Sequence, residues 1–169
     1  MLDPLLAPAP PAADAPGLGS SEPGAVLLAR AAERAYQLGR PYYGEVTPAE
    51  AWALHQRGDA ALVDVRTEPE WRYVGRIEGV PLVEWRRYEA STPNPDFIVQ
   101  LAALVPRDQA VLFLCRSGVR SQAAAQAATA AGWRAALNVM EGFEGDLDDR
   151  QQRGQRGGWR QAGLPWVQS

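Results

Sequence analysis

Three features of the chain predict an α/β fold built on an open parallel β-sheet with helices on both faces. Short, mostly apolar runs recur along it, helix-opening signals follow them, and the spacing between runs is long enough for helical crossovers. The runs lie at residues 61–65 (Ala-Leu-Val-Asp-Val), 80–83, 110–114 (Ala-Val-Leu-Phe-Leu) and 136–139. None alternates polar with apolar positions, which is the pattern of strands covered on both faces.

Residues 1–23, at the start of the chain, are dominated by Pro, Ala, Gly and Ser. They offer little side-chain surface to offset the entropy of ordering, and are expected to form a disordered tail. Residues 24–41 are expected to hold an N-terminal helix, with Val26, Leu27, Arg30, Ala31, Arg34 and Leu38 at helical spacing, packed loosely on the domain. The organised domain is expected over 42–169. Thr47-Pro48-Ala49-Glu50 is a capping box with Pro at the first helical position, and predicts a helix to about Arg57. Gly58-Asp59 turns into the first run, and a second capping box, Thr67-Glu68-Pro69-Glu70, comes directly after it. Asn94-Pro95 opens a helix to about Leu104, and Ser121 to Ala131 reads as an Ala-rich helix stopped by Gly132. Trp71, Trp85, Trp133, Trp159 and Trp166 are expected as core and docking anchors that seat the C-terminal segment, with Trp85 placed where it could reach a pocket mouth.

Composition limits the function classes. A length of 169 residues suits one domain. With 17 basic residues, all Arg, against 20 acidic ones, the net charge of −3 supplies no field for nucleic acid. No stretch approaches the roughly 20 apolar residues of a membrane helix, and the N-terminus lacks a basic leader region. A protein of the cytoplasm is therefore expected. Cys115 is the only cysteine, which excludes an internal disulfide, a Cys-x-x-Cys pair and a multi-cysteine metal site; no metal or cofactor is expected.

In open parallel sheets, ligands collect outside the carboxyl ends of the strands. Two such ends carry suggestive residues: Asp64-Val65-Arg66, and Cys115-Arg116-Ser117-Gly118-Val119-Arg120. A short loop from a buried strand into a helix turns backbone N–H groups inward, and Gly118 permits the curvature. With the positive end of the helix dipole this makes a bowl for an anion, with Cys115 at its base. Thiolate, the reactive form of cysteine, is favoured at helix N-termini and beside arginines, here Arg116 and Arg120. The single histidine, His55, falls inside a helix remote from the loop, so a Cys-His hydrolase is disfavoured.

At these residues the sequence resembles the rhodanese family. The match comprises Asp64-Val65-Arg66 with Glu70 following, the loop Cys-Arg-Ser-Gly-Val-Arg, and Gly142-Phe143-Glu144-Gly145, and it spans roughly 42–169. The resemblance implies a double displacement, in which Cys115 takes sulfur from an anionic donor such as thiosulfate and passes it to cyanide, a thiol or a protein acceptor. Arg116 and Arg120 match the loop's variable and terminal residues, and would bind the donor or shape the loop. The nearest rival, the phosphatase and arsenate-reductase class, needs one more residue between Cys and Arg than Arg116, Ser117, Gly118 and Val119 supply. A persulfide carrier or regulatory module with little small-molecule turnover is the alternative of a different class. Asp64 is expected either to hold Arg120 or to be structural, Arg66 and Glu70 to form a structural ion-pair network, and Ser117 to give a hydroxyl to the persulfide or merely to fit.

Overall fold

The computed structural model describes residues 21–89 and 92–169, and the expected tail falls almost wholly outside them. Four parallel strands form one sheet in the order β1-β4-β3-β2: β1 Gly44–Val46, β2 Ala61–Asp64, β3 Val111–Leu114 and β4 Ala136–Val139. Around it lie α1 Gly24–Gln37, α2 Pro48–Gln56, α3 Phe97–Leu104 and α4 Val119–Ala130.

Side chains leave the strands alternately and divide the core in two. Leu62, Leu112, Leu114, Leu137 and Val139 meet Leu27 and Ala31 of α1, Leu54 of α2 and Trp159 of the C-terminal segment. Val63, Phe113, Cys115 and Ala136 meet Phe97 and Leu101 of α3 and Ala124, Ala125 and Ala128 of α4. Alanines on the inner face of α4 let its backbone come close to the sheet, which brings the helix start up to the end of β3.

Three expectations change. The first helix packs closely, with Leu27, Ala31 and Ala35 buried on one stripe, because Gly44 of β1 has no side chain to hold it off: a Cβ there would stand 3.0 Å from that of Ala31. Residues 80–83 form no strand. Leu82 makes an isolated bridge with Asp64, and Pro81 lacks the donor that would extend the ladder. At Thr67-Glu70 the chain forms a five-residue π-helical turn, Glu70–Val74, with the Glu70 carboxylate folded back onto the Thr67 backbone N–H and hydroxyl. The capping box of α2 forms in full between Thr47 and Glu50. No helix among the described residues is long and apolar enough to cross a membrane.

Candidate active site

Cys115 is the first residue after β3, and α4 begins four residues later. Gly118 makes that tight connection with φ +95°, a left-handed conformation that residues with a Cβ resist. The back of the loop is held by the segment after β4. Phe143 N–H donates to the Cys115 carbonyl at 2.7 Å, and Glu144 N–H to the Arg116 carbonyl at 2.9 Å. Gly142 is required for that approach, since a Cβ there would stand 2.5 Å from the Cys115 carbonyl oxygen. With the loop carbonyls tied backward, amides are left for the front.

The Cys115 side chain sits at the bottom of this arrangement with the residue only 1 % exposed. Its Sγ accepts the Gly118 N–H at 3.1 Å and lies 3.2 Å from Ser121 Oγ in the first turn of α4. The amides of that first turn have no acceptor within the helix, and the helix dipole is positive there. The expected ring of donors is thus represented at Sγ itself by one amide, with one hydroxyl beside it. That hydroxyl is Ser121, not Ser117; Val119 points to solvent and only its backbone serves the loop.

The arginines divide their work differently from the expectation. Arg120 forms a two-pronged pair with Glu70, at 2.8 and 2.6 Å. Burial alone would raise the Glu70 carboxyl, but Arg120 and the Thr67 donors together hold it down at about 2. Asp64 does not hold Arg120. Both its oxygens take the Arg66 side chain, with the shortest contact at 2.6 Å, and Arg66 also reaches the Gly75 carbonyl at 2.7 Å. The Arg66 guanidinium stacks 4.1 Å over the Phe143 ring, so this sealed pair braces the segment that in turn braces the Cys115 loop.

Above the loop opens a cavity of about 510 Å³ lined by five arginines, Arg86, Arg87, Arg116, Arg120 and Arg153. Glu70 and Glu144 line it too, and the five arginines still outnumber them, so in a chain of net charge −3 positive potential gathers at one mouth. A larger cavity, about 910 Å³, lies between residues 82–89 and α3 and is lined by no residue of the Cys115 loop. Of the two, only the smaller is lined by residues of the Cys115 loop, Arg116 and Arg120, and Cys115 itself is among the lining residues of neither. Trp85 lines neither: it packs edge-on against Phe97. Trp133 and Trp159 are core residues, and Trp159 meets Trp52, which the sequence pattern did not single out. His55 lies on α2 beside Trp52, where burial lowers its pKa, away from the loop.

The Cys115 loop at the end of β3 and the arginine-lined cavity next to it place a thiol and a cluster of guanidinium groups at one edge of the parallel sheet. The rhodanese-like domain model matches residues 47–148, and the chain belongs to the rhodanese-like domain family. It is similar to an uncharacterized protein of Rickettsia conorii, 36% identical over 67% of this chain and 87% of that one. It also resembles the thiosulfate sulfurtransferase GlpE of Actinobacillus succinogenes, 28% identical over 73% of this chain and 89% of the relative. Among solved structures, that of Rv0390 from M. tuberculosis matches with a TM-score of 0.69 and 47% identity, over 76% of this chain and 99% of the other.

Glu70, Ser121 and Gly142 are the site residues that pattern reading assigned elsewhere. Glu70 carried a signal in the second capping box and in the match around Asp64-Val65-Arg66, Gly142 carried one in the Gly-Phe-Glu-Gly segment, and Ser121 carried none.

Proposed function

We propose that the protein is a cytoplasmic sulfurtransferase that carries sulfane sulfur as a persulfide on Cys115. The Cys115 thiolate attacks the outer sulfur of thiosulfate or a related anionic donor. The bond from that sulfur to the sulfonate sulfur breaks, and sulfite leaves with the electron pair. A thiophilic acceptor, cyanide or a thiol, then attacks the outer sulfur and the thiolate is released. No second cysteine exists to resolve the persulfide internally, so the acceptor is external.

The observation that carries this reading is the single cysteine at the base of a short strand-to-helix loop whose own arginines, Arg116 and Arg120, line a cavity together with Arg86, Arg87 and Arg153. Similarity to GlpE, a thiosulfate sulfurtransferase by name, supports the donor class. The loop is one residue shorter than a phosphate cradle needs, which suits a sulfur atom better than a phosphoryl group. A second reading, a persulfide carrier or regulatory module fed by a partner protein, is favoured by the 1 % exposure of Cys115 and by the engagement of Arg120 with Glu70.

A steady-state thiosulfate-to-cyanide assay run beside intact-mass measurement tests both. Rapid turnover that vanishes in Cys115→Ser, with the fold retained, supports the enzyme. A stable adduct of one sulfur with negligible turnover supports the carrier. Full activity in Cys115→Ser would sink both.

A further inference from the structure

We propose that Glu45 is a positioning residue for Cys115: acting through Asn138 and Ser121, it sets the direction in which hydrogen bonds run at the sulfur. The proposal deepens the reading of Cys115 as the sulfur-carrying thiol, and it rests on a buried polar file that the sulfur-transfer steps do not use.

Glu45 of β1 and Asn138 of β4 are register partners, and Asn138 in turn pairs with Phe113 of β3. They lie on the sheet face beneath α4, in a layer otherwise made of Val63, Phe113, Ala136 and the α4 alanines. Ser121 enters the same layer from the first turn of α4. All three are at most 1 % exposed, a placement that costs free energy unless every polar atom finds a partner. Partners are found along one line. Asn138 Nδ2 donates to Glu45 Oε2 at 2.8 Å, Ser121 Oγ and Asn138 Oδ1 are 2.6 Å apart, and Ser121 Oγ stands 3.2 Å from Cys115 Sγ.

The hydrogens on this line can be assigned from its far end. The Tyr42 hydroxyl donates to Glu45 Oε1 at 2.5 Å, and Arg40 Nε lies 3.1 Å from the same oxygen. Burial and the adjacent Glu45 raise the Tyr42 pKa, so its proton stays. With the Tyr42 hydroxyl donating to one oxygen and the Arg40 guanidinium paired with it, the Glu45 carboxylate is an acceptor with no hydrogen to give, and Asn138 must present its amide nitrogen. Its carbonyl oxygen then faces Ser121 and also has no hydrogen. The single hydroxyl proton of Ser121 therefore goes to Asn138, and a lone pair faces the sulfur. A thiol S–H fits that lone pair. A thiolate does not, because the hydroxyl can turn to it only by giving up the 2.6 Å bond to Asn138.

Glu45 thus opposes the Gly118 amide and the α4 terminus, which favour thiolate, and shifts the balance at the sulfur towards the thiol. The other charged groups around the sulfur are Arg116 and Arg120 of its loop, Asp64 and Arg66 after β2, and Glu70 of the π-helical turn. Those around Glu45 are Arg40 and Tyr42, with Arg34 donating to its backbone carbonyl. None is altered in the test.

Glu45→Gln reverses the file. The glutamine oxygen keeps Tyr42 and Arg40, its amide nitrogen faces Asn138, Asn138 turns over, and the Ser121 proton is released to the sulfur. Because Cys115 is the sole cysteine, the pH titration of ultraviolet thiolate absorbance, referenced to Cys115→Ser, reads this one group. The midpoint should fall by about one pH unit in Glu45→Gln, and should not fall when Ser121→Ala is also present. An unchanged midpoint overturns the proposal. So does an equal fall in both backgrounds, since loss of the Glu45 charge acting through space would then suffice. Should Glu45→Gln fail to fold, Asn138→Leu cuts the same file at its centre and is read in the same two backgrounds. Thiosulfate turnover is measured separately. Its absence would remove the transferase reading while leaving the titration result standing.

Discussion

Two arginine–carboxylate pairs flank the chemistry of this protein, and they differ chiefly in their access to water. Arg66 and Asp64 are sealed, at 0 and 1 % side-chain exposure, whereas Arg120 and Glu70 retain 22 and 20 %. In the interior, a lost partner leaves a charge with no water to take its place, so the inner pair must remain intact for the fold. At the mouth, water can replace a partner at small cost, which leaves Arg120 free to be used on a ligand. The same two functional groups therefore serve architecture in one place and, under the proposed function, recognition in the other.

The largest effect expected from breaking this contrast is on stability at the inner pair. Arg66→Ala should cost about 3–5 kcal/mol, read as a fall in the denaturant midpoint, because Asp64 is left buried and the Phe143 ring loses its cover. A loss below about 1 kcal/mol would mean that water enters the site. Replacing both partners with apolar residues, Asp64→Leu with Arg66→Met, should cost less than Arg66→Ala alone. If the double variant is the less stable, the pair contributes more than mutual neutralisation.

At the mouth the expectation inverts. Arg120→Ala should lower kcat/KM for an anionic donor by about ten- to a hundredfold while changing stability by less than about 1 kcal/mol. Equal losses of activity per folded molecule in Arg120→Ala and Arg66→Ala would erase the distinction. The smallest effect is on acid stability. The Glu70 carboxyl falls from 4.5 to about 2 on folding, so its contribution is complete above 4.5 and is lost as the pH drops towards 2. Glu70→Gln should flatten the stability profile in that window, weakly because the pair is partly screened by solvent. An unaltered slope would assign the acid sensitivity to other carboxylates.

Much of the fold was legible because its signals are local. The runs ending in Val65, Leu114 and Val139, the Thr47 capping box and the Gly132 stop correspond to elements within a residue or two. The three-residue β1 carried too little pattern to be read, and Pro81 turned an apolar run into a single bridge. At the site, the loop and its sulfur were legible as a contiguous motif. Ser121 was not, because one turn of helix decides which of two nearby serines faces Sγ. Glu70 was placed in an ion-pair network, but with Arg66 in place of Arg120.

By itself the chain determined its reagents: one thiol, a glycine that lets a strand turn sharply into a helix, and arginines next to both. Periodicity, capping and turn chemistry act within a few residues, so they can be read along the sequence. Only the tertiary structure decided the partners, giving Arg120 to a carboxylate 50 residues away and linking Asn138 to one 93 residues away. Such choices depend on how sheet and helices stack, and no local preference encodes them.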